Sequence, residues 1–355
     1  MTDVVAYDPD GDLILRVGPD LSTSKYQVCS KTLSRSSVVF KRMLYGPFLE
    51  SLPTDGSEWT VQLPDDDAAA MAVFLSIIHG MFHLTPNTLT LKELYNLLIL
   101  TEKYDATDRL RPWAASWLEA VKDQREGPWL LGIAWELGAI ELFQSMMVRI
   151  AENSHEESPT VGGGNTETTL LYGGGGGESR LSTKDVLTLR VGPPTWPITI
   201  MESLTPTGML ETLRANRRAL LSAEVQPYLS LYDDVLKFRC NFGGYGRVMN
   251  PEAAWQCDCM VLGSLEKGFR KHDIELIRSS FGFATYYGSV AHIRKALADL
   301  KIYSPHHECS DEIEKRLQKA RKAAVAVKDA VHRILPNHLS HLNKQAEKMG
   351  FPVRK

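Results

Sequence analysis

The stretch from Gln27 to Ser51, QVCSKTLSRSSVVFKRMLYGPFLES, changes its hydrophobic period part-way along. It begins with strand character at Tyr26-Gln27-Val28-Cys29 and passes through the polar pair Ser30-Lys31. Apolar residues then recur at helical spacing, at Leu33, at Val38 and Val39, and at Met43 and Leu44. A strand followed at once by two short helices is the expected result. Ser37 is placed to cap the second helix, because its hydroxyl accepts a backbone N–H that has no partner inside the helix. Gly46-Pro47 ends that helix, since proline has no N–H to donate.

The flanking segments extend the pattern. Asp12 to Val17 reads as a strand ended by Gly18-Pro19, with Tyr26 to Cys29 beside it as a hairpin. Pro53 to Glu58 is turn chemistry, and Trp59-Thr60-Val61-Gln62-Leu63 alternates as a strand does. Three helices are expected next. Asp65 is the expected N-cap of the first, whose stripe is Met71, Phe74, Leu75 and Ile78. Thr90-Leu91-Lys92-Glu93 has the capping-box pattern and opens the second. The third carries Leu110, Trp113, Trp117 and Val121, with Pro112 at its first turn or at a kink. Beyond them, residues 122–151 read as two antiparallel helices joined near Gly138, one with Trp129, Ile133 and Leu137, the other with Leu142, Phe143, Met146, Met147 and Ile150.

The ordered set DLILRV, SSVVFKRML, FLES and WTVQLPDDDAAAMAVFLSIIHG resembles a BTB/POZ domain over residues 11–121, of the type common in filamentous fungi. One departure is Ser30-Lys31, where many BTB domains have a histidine before the lysine. The resemblance implies an α+β fold, a small sheet against a cluster of helices. It also implies protein–protein interaction, by homodimerisation or partner capture. The family's dimer surface would fall around Leu13 to Val17 and Leu33 to Phe40. A further implication concerns Phe48-Leu49-Glu50, the partner-binding candidates. BTB substrate adaptors of cullin-type ubiquitin ligases carry a hydrophobic-x-Glu step in this loop. The competing reading folds Phe48 back on the domain and leaves Glu50 merely solvated.

Residues 152–184, including HEESPTVGGGNTETTLLYGGGGGES, are too poor in apolar side chains to offset their ordering entropy, so a flexible Gly-rich linker is expected. No Gly-Lys-Ser/Thr follows these glycines, which excludes a phosphate loop. Residues 185–350 read as a mainly α-helical domain, with a short strand near Val186 to Val191 and helices near Leu204 to Ala219, Asp273 to Ile277 and Val290 to Leu300. The longest helix is expected to start at Ser310, with Ile313, Leu317, Ala320, Ala324, Val327, Val331 and Ile334 in heptad steps. Its alanines suit an intramolecular bundle. Pro336 ends it, and a last helix runs from His338 to Met349. The basic face at Lys315, Arg316, Lys319, Arg321, Lys322, Lys328 and Arg333 carries no interleaved aromatics, so a solvated face is favoured over nucleic-acid binding.

The chain's 355 residues carry a net charge of −3, and its five cysteines are too few for a disulfide framework. The acidic start lacks the apolar core of a signal peptide, and no apolar run reaches spanning length. An intracellular protein, cytoplasmic or nuclear, with no membrane contact is expected. Cys257-Asp258-Cys259, His306-His307-Glu308-Cys309 and Cys240 form a soft-ligand constellation, with Cys257, Cys259, His307 and Cys309 the candidates for structural zinc. Against it, C-x-C and H-x-C are not the usual knuckles, and cysteine often serves as a small core residue. No other cofactor is expected. Asp233-Asp234 and Asp65-Asp66-Asp67 do not read as acid/base pairs, and no hydrolase, zincin, Rossmann or Walker signature is present. An enzyme therefore has no positive residue behind it, and one in the C-terminal domain is the least favoured of the three readings.

Overall fold

The computed structural model describes residues 4–19, 23–124, 129–156, 187–189, 196–197, 204, 206, 208–240, 250–271, 288–327 and 334–354. The chain is α+β with helices predominating. It divides into two compact units, Met1–Met146 with Ile200–Thr207 and Ile334–Lys355, and Met147–Thr199 with Gly208–Arg333. Among the described residues no helix is long and apolar enough to cross a membrane.

The first unit is built on a four-stranded sheet. Its strands are β1 (Val4–Ala6), β2 (Leu13–Val17), β3 (Ser24–Val28) and β4 (Thr60–Leu63), in the order β1-β3-β2-β4. β2 and β3 form the expected antiparallel hairpin, and β4 lies parallel to β2 with Leu15 opposite Val61. Alternation sends Leu13, Leu15, Val17, Tyr26, Val28, Val61 and Leu63 inward. The sequence reading started this domain at residue 11 and missed β1, which pairs parallel to β3 at the sheet's edge. With only three residues, all exposed, β1 has no buried periodicity to announce it.

Helices α1 (Ser30–Ser36) and α2 (Val38–Tyr45) follow the hairpin, then α3 (Ala68–Ile78), α4 (Leu91–Lys103) and α5 (Arg111–Val121). Ser30 lies at the joint between β3 and α1. It is buried; its hydroxyl meets Asp12 Oδ2 at 2.7 Å and the Tyr45 hydroxyl at 2.6 Å, while its N–H reaches Asp12 Oδ1 at 2.8 Å. Ser37 caps α2 as expected, accepting the Phe40 N–H at 2.9 Å; it also donates to the Tyr104 carbonyl at 2.6 Å. The Thr90–Glu93 capping box forms in full. Asp67, not Asp65, caps α3, accepting the Ala70 N–H at 2.8 Å. Asp66 is turned inward instead, where it takes the Tyr104 hydroxyl and pairs with Lys103.

α6 (Trp129–Leu137) and α7 (Ile140–Asn153) meet at Gly138, whose φ of +70° disfavours other residues. A Cβ there would also lie 2.2 Å from the backbone nitrogen of Ala346. That neighbour belongs to the last helix, Pro336–Met349, which packs on α6 and α5. The sequence reading placed this helix in the 185–350 domain; in the structure it belongs to the first unit. Its buried stripe, His338, Leu342, Ala346 and Met349, says that it packs but not on what.

In the second unit, β5 (Ser154–Glu156), β6 (Leu187–Leu189) and β7 (Trp196–Pro197) form a small antiparallel sheet. Residues 152–156, expected as the start of a linker, are instead the end of α7, which runs to Asn153, and β5, which follows directly. The expected linker residues 157–184, and the helix expected at Asp273 to Ile277, lie outside the described residues. α8 (Met209–Leu236) continues well past Ala219 and through Pro227, whose missing N–H costs a helix bond. Its buried face at Leu220, Leu221, Val225, Tyr228, Leu231 and Val235 keeps it whole by packing. α9 (Pro251–Arg270), α10 (Val290–Ala298) and α11 (His307–Val327) complete the bundle, α11 lying along α8. Ile313, Leu317, Ala320 and Ala324 are buried, so the seam is intramolecular as far as it is described. α11 starts three residues ahead of the expected Ser310 cap, and Pro336 opens the last helix at its first position. On the basic face, Arg316 pairs with Glu312, and Arg321 with Glu314 and the carbonyls of Ala298 and Leu300. Lys328 and Arg333 lie outside the described residues.

Ser37 serves two buried partners at once, so Ser37→Ala is expected to destabilise the first unit by about 1–3 kcal/mol. A fall in the urea midpoint of the full-length chain with unchanged slope checks this.

Candidate functional site

In the first unit, the turn after α2 is held by the side chains of Ser51 and Trp59. Ser51 accepts the Phe48 N–H and donates to the carbonyls of Gly46 and Met43, fastening the loop to the end of α2. Trp59 completes the anchorage, its indole N–H reaching the Glu50 carbonyl at 2.9 Å. Of the three partner-binding candidates, Leu49 stands fully in solvent at 103% of its reference exposure. Phe48 is 56% exposed, with its ring edge about 3.1 Å from where a Cβ on Gly46 would lie. Glu50 is half-buried. The projecting apolar group is thus Leu49, while Phe48 leans over Gly46. Leu52, at 57% exposure, adds a third apolar side chain to the loop.

The stretches suggested for a dimer surface are mostly spent on the interior. Leu13, Leu15, Val17, Leu33 and Phe40 are all buried, because alternation and helical spacing aim them at the core. Within those stretches only Val38 and Val39 are exposed apolar residues. Val4 and Val5 of the edge strand are also exposed, a feature the sequence reading missed along with the strand itself.

A cleft of about 700 Å³ in the first unit is lined by residues including Ser37, Glu102, Arg109, Glu136, His341 and Lys348. Glu136 comes from α6 and is buried; the Thr107 hydroxyl donates to its carboxylate at 2.8 Å. Burial pushes its acid up to about 7; the Thr107 bond opposes that shift, and the charge of Glu102 adds to it. The His341 ring stacks on Trp135 at 4.0 Å, and its burial lowers the imidazole's affinity for a proton. Glu136, the one charged residue of the apolar run Trp129–Leu137, was not singled out from the sequence. What sets it apart is its burial under the returning last helix.

In the second unit, the soft ligands converge, but not as the sequence set had them. Cys240 lies just beyond α8, Cys257 is on α9, His306 precedes α11, and Cys309 is in the first turn of α11. Their ligand atoms all lie within 4.8 Å of one another. Cys240 Sγ stands 3.1 Å from His306 Nδ1 and 3.4 Å from Cys309 Sγ. Cys240, Cys257 and Cys309 are buried. Cys259 and His307, both in the candidate set, are exposed and fall outside the cluster. The reason is helical geometry. Cys257 and Cys259 are two apart on α9, so they point to different faces. His306 and Cys309 are three apart and share one, whereas His307 turns outward to pair with Asp311. Burial, with Cys240 and Cys257 alongside, pushes the Cys309 thiol up to about 12, and burial also raises Cys257. Three sulfurs and one imidazole nitrogen at these separations form a cluster compatible with a metal ion.

Asp233 and Asp234 are exposed on α8. Arg217 of α8 is buried, and its guanidinium reaches the carbonyls of Ser154 and Gly288. Comparison with known proteins finds no matching protein-family profile and no significant match among curated proteins.

Glu136 makes stability depend on pH. Its acid is raised to about 7 in the fold from an ordinary 4.5, so between those values the native state holds a proton that the unfolded chain has released. Stability from this residue is therefore present below about pH 4.5 and lost as pH rises towards 7. Glu136→Gln is expected to flatten that decline and to raise the urea midpoint at pH 8 relative to wild type. Urea titrations across the pH range, wild type beside variant, check both.

Proposed function

We propose that the chain is a protein–protein interaction protein, acting through its first unit as a BTB/POZ-like domain by dimerisation or partner capture. The observation that carries this reading is the Phe48–Leu52 loop. It shows Leu49 completely to solvent, yet its backbone is pinned to α2 by Ser51 and to the start of β4 by Trp59. Burying a leucine gains about 1.5–3 kcal/mol, so a fixed loop that forgoes that gain is suited to receive a partner. The order of strand hairpin, paired short helices, third strand and three further helices also agrees with the arrangement the resemblance implies. For dimerisation, Val38 and Val39 of α2, inside the suggested stretch Leu33 to Phe40, and Val4 and Val5 of the β1 edge are the exposed apolar groups.

The second reading is a substrate adaptor of a cullin-type ubiquitin ligase, and it rests on the same loop. Phe48 and Leu49 then enter an apolar groove on the cullin, with Glu50 beside them. An enzyme is the third and weakest reading. Its best residue is Glu136 in the first unit rather than any group of the second, where it was first sought.

Affinity capture with the full-length chain, wild type beside Leu49→Asp and Phe48→Ala, tests the proposal. Leu49→Asp is expected to lower retention of a specific polypeptide at least about tenfold, equivalent to about 1.4 kcal/mol, without moving the urea midpoint. Loss of a cullin with Phe48→Ala selects the adaptor reading. Identical retention by all three proteins contradicts a docking role for the loop.

A further inference from the structure

We propose that Cys240, Cys257, His306 and Cys309 bind one zinc ion, in a closed site that ties the end of α8 to α9 and to the start of α11. The proposal concerns the second unit alone and stands apart from the docking role of the first.

The donor set points to the metal. Three thiolates and an imidazole are the soft-to-borderline ligands zinc takes in structural sites, and with four protein ligands no position is left for water. Zinc–sulfur bonds of about 2.3 Å and zinc–nitrogen bonds of about 2.0 Å put the corners of a tetrahedron roughly 3.5–3.8 Å apart. The observed ligand atoms, with separations of 3.1 and 3.4 Å and none above 4.8 Å, reach that arrangement by small side-chain adjustments.

The surroundings hold the ligands in place. Asp258, which follows one ligand on α9, accepts the backbone N–H of Cys240 at 2.8 Å and so fixes the chain end that carries another. Ser304 lies 3.3 Å from Cys257 Sγ and accepts the His306 N–H at 3.1 Å. Partners one step behind the ligands orient metal sites in this way. The spacing agrees as well: His306 stands just ahead of α11, its carbonyl accepting the Ser310 N–H, and Cys309 follows it by three residues, close to one helical turn.

Two other accounts fit less well. In a disulfide the sulfurs would stand about 2.05 Å apart, and the pairing would leave a third thiol and the imidazole without a role. Buried cysteines are common as small core residues, but packing alone gives no reason for three of them to converge on one imidazole.

The test is metal analysis of untagged full-length protein purified under reducing conditions. About one zinc per chain is expected, and cobalt substitution should give thiolate-to-metal charge transfer with the visible bands of a tetrahedral ion. Cys309→Ser and His306→Ala should lose the metal. Cys259→Ser and His307→Ala, outside the cluster, should keep it. His306→Cys, which retains four soft ligands, should also keep it, separating loss of a ligand from general misfolding. The proposal is overturned if the folded wild-type chain carries no zinc and takes up neither zinc nor cobalt when supplied. It is equally overturned if an intact mass two hydrogens light reveals a disulfide, or if Cys309→Ser and His306→Ala hold zinc as wild type does.

Discussion

The first unit depends on a buried polar node around Tyr104. Its ring stacks on Phe40 at 4.0 Å, its carbonyl accepts from Ser37, and its hydroxyl donates to Asp66. One residue at the end of α4 thereby fixes the junction of the two short helices and the turn between β4 and α3. Burial, followed by the Asp66 charge, holds the phenol firmly protonated, so it remains a donor at all ordinary pH. Buried polar groups are costly unless every partner is supplied, and here each is. The consequence for function is rigidity: α2 is locked on its inner side, so the loop at its end is presented on a fixed base.

Much of this architecture was legible in the residues, because local signals and tertiary demands agree. The alternation in β2 and β4, the Ser37 cap and the Thr90–Glu93 box each give the same answer in the chain and in the fold. Where the reading went astray, a nonlocal partner decided the outcome. Asp65, Asp66 and Asp67 are equivalent as caps by sequence, but Tyr104 and Lys103 claim Asp66 and leave Asp67 to cap α3. The last helix looks like a continuation of the helical domain until Gly138 is seen to admit its backbone. The resemblance locates segments for a dimer surface, not the direction of each side chain; within them Leu13 and Leu33 are buried while Val38 and Val39 are exposed.

The thiol cluster teaches the same lesson at the level of a site. The cysteines and histidines were visible in the chain, yet adjacency in sequence suggested Cys259 and His307, which the helices turn outward. The helical period would have paired His306 with Cys309, three apart, and separated Cys257 from Cys259; that Cys257 is the inward one follows from the packing of α9. Cys240 could not be chosen that way, since only the packing of α11 along α8 brings it near His306 and Cys309. In the second unit, buried Arg217 and the Arg294 pairs with Glu152 and Glu224 play the part that Tyr104 plays in the first. Charged groups are retained inside because each has its partners.

The central claim is that a locked scaffold displays the Phe48–Leu52 loop to another polypeptide. A photo-crosslinking amino acid at position 49 of the full-length chain, illuminated in the cells that naturally express it, addresses that claim most directly. The account predicts a covalent adduct to a second chain, whether another copy or a distinct partner, and none from the same probe at exposed Lys92 on α4. Equal yields from the two positions, or no adduct at 49, would contradict it.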